Sequence, residues 1–291
     1  MRSKSFTSGI ASLLGASLLW AFSFGLIATH LKGVDAVMVA WIRLTLSLLL
    51  FLPLLRVRQL SWRLSLQLLG IGAVQYGLMY VAYIESFRYL KGHEVALFTI
   101  FTPLYVALIH AIGKRMLQRR VILAALLAVL GAAVIRFQQP GGDVALRGIL
   151  LLQLANVAFA FGQVAYRRVM QQSAGRVRDE DVFAILFGGG MLFAAAACTA
   201  TGGWSQVSFS ATQIRVLLYL GLVPSGIGFF LWNRGARIVN HGTLAVMNNI
   251  KIPLAVFATI VCFHEEADLV RLLAGGVVML IGVWMCERKG A

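Results

Sequence analysis

The chain has 291 residues, of which 59% are hydrophobic and only 13% charged, with a mean hydropathy of +0.83. Soluble domains carry about 25% charged residues, so a soluble enzyme or binding module is excluded. The formal charge of +15 would point to nucleic acid on a basic soluble domain, but here the basic residues fall in short loops between apolar stretches, which excludes that partner and leaves the lipid bilayer.

A hydrocarbon core of about 30 Å takes ~20 apolar residues per helix. The pattern predicts an all-α integral membrane protein of ten spans: Gly9–His30, Asp35–Leu55, Leu66–Tyr83, Gly92–Ile112, Val121–Arg136, Gly148–Met170, Asp181–Thr201, Ile214–Trp232, Gly242–Phe263 and Leu269–Cys286. The first span follows Arg2 and Lys4 and has the outline of a signal peptide, but the internal repeat described below marks it as retained. It carries Trp20, Ser23 and His30 at helical spacing. The second holds Arg43 about eight residues, or ~12 Å, from its Asp35 end. That depth suits either a substrate or gate role, or a long stem snorkelling to the interface.

The third span stacks Tyr76, Tyr80 and Tyr83, with Glu85 just beyond, and the fourth carries Phe98, Thr102 and Tyr105 around Pro103. Pro140-Gly141-Gly142-Asp143 is a turn cluster at the middle of the chain. Gln153, Asn156 and Gln163 form one polar stripe on the sixth span. Pro224, Gly226 and Gly228 mark a kink in the eighth. The ninth contains Met247-Asn248-Asn249-Ile250-Lys251-Ile252-Pro253, in which Asn248 and Lys251 share a face. Cys198, Cys262 and Cys286 lie in or at the end of apolar spans, odd in number and without metal-type spacing, and read as small hydrophobes or free thiols.

A cation at bilayer depth costs ~2.5 kcal/mol or more on insertion, so Lys251 needs a partner or an anionic substrate. All eleven acidic residues sit in loops or within a turn of a span end, and none is available at the midplane as an ion relay. Glu85 and His30 remain as candidates for coupling. Polar groups facing lipid are costly, so Trp20, Ser23, Arg43, Tyr76, Tyr80, Asn156, Gln163, Asn248 and Lys251 are expected to line an internal substrate site. The competing reading of the Asn residues is a helix-packing contact worth ~0.6 kcal/mol. Two embedded cations without an embedded anion fit a small anionic or zwitterionic metabolite.

With the N-terminus inside, 17 basic residues fall on the cytoplasmic side and 7 on the other, with Arg43 and Lys251 within spans. This bias places both termini in the cytoplasm. The chain also repeats itself: Ala21-Phe22-Ser23-Phe24-Gly25 pairs with Ala158-Phe159-Ala160-Phe161-Gly162, and Gly92 precedes Pro103 as Gly242 precedes Pro253. Five spans per half make the repeats, 9–138 and 147–287, inverted, an architecture of alternating-access carriers with the site between the halves.

With Leu19-Trp20-Ala21-Phe22 in span one, Arg43 in span two, and Pro103 and Pro253 in spans four and nine, the chain resembles the EamA family of the drug/metabolite transporter superfamily over nearly its whole length. The resemblance implies a bacterial inner-membrane exporter of amino acids or other small metabolites, including amino-polycarboxylate metallophores. The family often places a Glu about a dozen residues past the span-four proline. Lys114-Arg115 stands there, whereas Glu265-Glu266 follows Pro253. An opine-type metallophore, whose several carboxylates would engage Lys251 and Arg43 together, is the expected substrate. An amino-acid exporter is the alternative, and a lipid flippase or non-transporting membrane protein the alternative of another class. No zincin motif or nucleophile elbow is present, so no enzyme, cofactor or metal site is expected, and the assembly is a monomer or homodimer.

Overall fold

The computed structural model describes residues 2–56, 60–113, 142–173, 177–205, 208–239 and 241–287, with 123, 126, 127, 130 and 131 between them. The expected fifth span, Lys114-Arg115 and Pro140-Gly141 lie outside the described residues or nearly so. Every regular element among those described is helical. Among the described residues, seven helices are long and apolar enough to cross a membrane: Phe6–His30, Ala36–Leu54, Trp62–Ser86, Gly92–Ile112, Asp143–Gln172, Phe183–Thr201 and Ala211–Ile238. Ile250–Cys262 and Leu269–Ile281 are shorter apolar helices.

Local chemistry sets the ends. Helix α1 is Arg2–His30, and α2, Ala36–Phe51, starts where the Asp35 carboxylate accepts from the Met38 amide at 2.8 Å. Ser61 caps α3, Trp62–Gly72, through the Leu64 amide. This chain continues without a break through a π-helical turn, Ala73–Leu78, into α4, Met79–Ser86. Span three is therefore longer than the expected Leu66–Tyr83, because its polar first turn is helical as well. Helix α5, Gly92–Phe98, and α6, Thr102–Gly113, are joined by a 3₁₀ turn at Thr99–Phe101, just before Pro103. Helix α7 is Gly142–Gln172, and α8, Phe183–Thr201, ends on Gly202 at φ +71, a left-handed position suited to glycine.

A Ser210/Gln213 capping box opens α9, Ala211–Leu220. A second π-helical turn, Gly221–Gly228, leads into α10, Phe229–Ile238. Span eight thus runs past the expected Trp232 through a basic last turn, and Asn233 lies inside it. Helix α11, His241–Phe257, passes through a third π-helical turn, Ala258–Cys262, and α12 is Leu269–Glu287.

The helices pack across the sequence: α1 against α10 and α11, α2 and α3 against α8, α4 and α6 against α7, and α5 against α11. At one such crossing a Cβ on Gly189 would collide with the Leu69 carbonyl, so α3 and α8 approach closely only because glycine is there. Leucines such as Leu18, Leu150, Leu192 and Leu273 point outward, while Arg43, Lys251, Gln75 and Asn233 point inward. Cys198 and Cys262 are free.

Candidate functional site

Lys251 of α11 is buried, and its ammonium lies 5.4 Å from the Trp20 ring centre, 5.5 Å from Phe159 and 5.2 Å from Trp232. The rings come from α1, α7 and α10, and Trp20 and Trp232 sit 5.0 Å apart. Cation–π attraction is worth ~2 kcal/mol or more when desolvated, but the rings give the ammonium's three N–H donors no hydrogen-bond acceptor. Among the described residues no Asp or Glu pairs with Lys251 or Arg43. The Trp20 indole donates to the Pro224 carbonyl at 2.8 Å, whereas the Trp232 indole N–H has no partner. One turn before Lys251, the Asn248 amide donates to the Leu244 carbonyl and leaves its own oxygen unpartnered.

Arg43 is 2% exposed, and its guanidinium is drawn inward rather than towards the end of the bundle. Nε donates to Ser225 Oγ at 3.1 Å and Nη2 to Tyr80 OH at 2.9 Å, with the guanidinium 4.3 Å over the Tyr80 ring. Nη1 has no partner. The Tyr80 and Ser225 hydroxyls are themselves 2.8 Å apart. Pro224 has no N–H for the Leu220 carbonyl; Ser225 Oγ donates to it instead, and Ser47 Oγ reaches the Gly221 carbonyl at 2.8 Å. The expected kink is thus a π-helical turn whose first two carbonyls, Leu220 and Gly221, also accept from hydroxyls.

The buried amides divide into used and unused. Asn156 donates to the Phe98 carbonyl at 3.0 Å, at the start of the 3₁₀ turn before Pro103, and accepts from Thr102. Gln153 accepts from Tyr105. Gln75 donates to Asn233 at 3.1 Å, and Asn233 to Tyr76 OH at 2.9 Å. Gln163 is different: both its amide nitrogen and its oxygen are buried without partners. Ser23 donates to the Leu19 carbonyl of its own helix. Glu85 pairs with Arg88 at 3.1 Å, and the half-buried His30 offers its carbonyl to Gln213. Neither is among the contacts of Lys251 or Arg43. Gln75, Ser225, Trp232 and Asn233 were not singled out by sequence reading. The one available signal was polar residues inside apolar stretches, and for Asn233 the span ended one residue too early.

At the bundle end carrying His30 and Ser86, Glu265 accepts from the Gly92 amide at 2.6 Å, the His93 amide at 2.8 Å and His93 Nδ1 at 2.7 Å. His264, at φ 52, turns the chain so that this carboxylate meets the start of α5. Burial works to raise the Glu265 pKa, but the His93 and Gly92 hydrogen bonds outweigh it and hold the carboxyl below its ordinary value. At the opposite end the Asp179 carboxylate takes hydrogen bonds from Tyr166 and Arg237, and Asp181 pairs with Arg178 and Arg56.

Membrane-length helices with apolar outer faces and inward cations, amides and hydroxyls define a multi-pass membrane protein with a polar interior. A model of the EamA-like transporter family matches this chain twice, over residues 7–137 and 146–287. The chain belongs to that family and is a membrane transporter. It is 40% identical over 274 residues, 94% of this chain and 96% of the other, to a Pseudomonas aeruginosa protein named "Probable biotin transporter". It is 37% identical over 279 residues, 95% of this chain and 92% of the other, to the "Biotin transporter" of Salmonella typhimurium. A crystal structure with 18% identity shares the fold, at a TM-score of 0.64 over 98% of this chain and 96% of that one.

Proposed function

We propose that the protein carries a small carboxylate-bearing metabolite, with biotin as its substrate, by alternating access of two inverted five-helix halves, 9–138 and 147–287. Its setting is the bacterial inner membrane, with both termini cytoplasmic. The observation that carries this reading is Lys251: a buried ammonium faced by three aromatic rings, with no carboxylate partner among the described residues. A substrate carboxylate completes that environment, and the rings suit the apolar body of the same molecule. The relatives' names favour biotin over the metallophore and amino acids expected from the residues alone. A carboxylate crossing by itself is driven outward by an interior-negative potential, by ~2.3 kcal/mol per 100 mV; accumulation inside against that force requires a compensating cation.

The test is counterflow of labelled biotin in proteoliposomes. Wild type should exchange labelled for unlabelled biotin, Lys251→Ala should lose exchange while remaining folded, and Lys251→Arg should keep part of it. Full exchange by Lys251→Ala would remove the site. Reversing the imposed potential in the same vesicles reads the charge that moves with biotin.

A further inference from the structure

We infer that Gln163 reads the head of the substrate by pairing with a cis N–H/C=O edge, the ring urea in biotin, while Lys251 takes the carboxylate. This rests on the reading above and deepens it. The observation is an imbalance among the buried amides. Gln75 and Asn233 satisfy each other and Tyr76, and Asn156 is held by Phe98 and Thr102. Gln163, 5% exposed, is left with both ends of its amide unpartnered. A buried polar group without a partner is a standing deficit that a matching ligand relieves. An amide shows an acceptor and a donor on one planar edge, and a cyclic urea shows the complementary pair. A carboxylate shows acceptors only and matches half of it.

Position agrees with this division of labour. Gln163 follows Phe159 by one turn of α7, ~6 Å along the axis, and Phe159 is one of the rings around the Lys251 ammonium. Biotin separates its carboxylate from its urea ring by a flexible aliphatic chain, so one molecule spans both groups with its chain against the rings. The unpartnered Trp232 indole, beside the same ammonium, supplies a further donor.

The experiment compares wild type with Gln163→Met, which keeps an unbranched side chain of similar size and removes both polar atoms. Binding is read by competition against labelled biotin and by ligand-induced shifts in thermal stability in detergent. Desthiobiotin keeps the urea ring, whereas lipoate and octanoate keep only a carboxylate tail. In Gln163→Met, biotin and desthiobiotin should weaken by about 30-fold, lipoate and octanoate should change by less than about threefold, and the ligand-free protein should be as stable as wild type or more so. Lys251→Ala should show the reverse pattern, weakening every carboxylate and sparing biotin amide. Equal losses for urea and non-urea ligands in Gln163→Met, or unchanged biotin binding, overturn the inference alone. A wild type that binds no biotin overturns the substrate reading and the inference with it.

Discussion

Arg43 and Lys251 are two cations in one bundle, and their surroundings give them different work. Arg43 spends Nε and Nη2 on Ser225 and Tyr80 and leaves Nη1 unpartnered, whereas Lys251 is faced, among the described residues, by three rings. Burying an incompletely paired charge is costly, so an apolar side chain of similar length relieves that cost, and the Tyr80 and Ser225 hydroxyls still have each other as partners. Arg43→Met is therefore expected to hold or raise the melting temperature while lowering biotin exchange about tenfold or more. A fall of several degrees with exchange intact would make Arg43 an anchor for α2. Both cations were legible from sequence because a charge within an apolar run stands out against its neighbours. The Gln75–Asn233 pair was not, since its members lie 158 residues apart and an amide gives no sign of whether its partner is another side chain, a carbonyl or a ligand.

At the scale of the element, the π-helical turn Gly221–Gly228 is braced by the Ser225 hydroxyl as well as by Ser47. Ser225 Oγ satisfies the Leu220 carbonyl and stands within hydrogen-bonding distance of Arg43 Nε and Tyr80 OH. Ser225→Ala removes the hydroxyl's bond to the Leu220 carbonyl and strands part of a guanidinium, a loss of ~2 kcal/mol. It should lower the melting temperature by roughly 5 °C, and Ser225→Thr should recover most of it; a change within one degree would show that Ser47 and the π geometry suffice.

The start of α5 makes a second case. Glu265 caps it with three hydrogen bonds, and Glu265→Ala should lose ~1–2 kcal/mol at neutral pH. Because the folded-state pKa of Glu265 lies below the ordinary 4.5, its contribution is fully present above that value and disappears as pH falls through the depressed one. The gap between wild type and variant should thus stay constant from about pH 6 to 8 and close in acid; a gap that closes at neutral pH would assign the effect to a different group. Sequence periodicity located the spans but could not show the π turns, which insert one extra residue without disturbing the apolar pattern on either side.

For the whole molecule, the membrane assignment follows from composition, and apolar outer faces and polar inner ones from helical spacing and the cost of polar groups in lipid. The partners of the inner groups did not, because they join distant spans. These joins have a direction: Trp20 to Pro224, Arg43 to Ser225, Ser47 to Gly221, Gln75 to Asn233, Asn156 to Phe98 and Thr102, and Glu265 to His93. Each links residues within 7–137 to residues within 146–287, the two segments matched by the family. In lipid, helices gain little from hiding apolar surface from one another, and recognition rests on close packing and polar bonds. The seam is therefore expected to carry its own instructions for assembly, with the covalent connection between the segments dispensable for specificity. Two polypeptides, cut between residues 137 and 146 and made together in one cell, should find each other in the bilayer, co-purify and restore biotin exchange. Adding Gln75→Leu and Ser47→Ala to one fragment should weaken that reunion far more than it weakens the intact chain, where the tether holds the partners at high local concentration. Fragments that never meet would mean the joins are made only because the chain forces them.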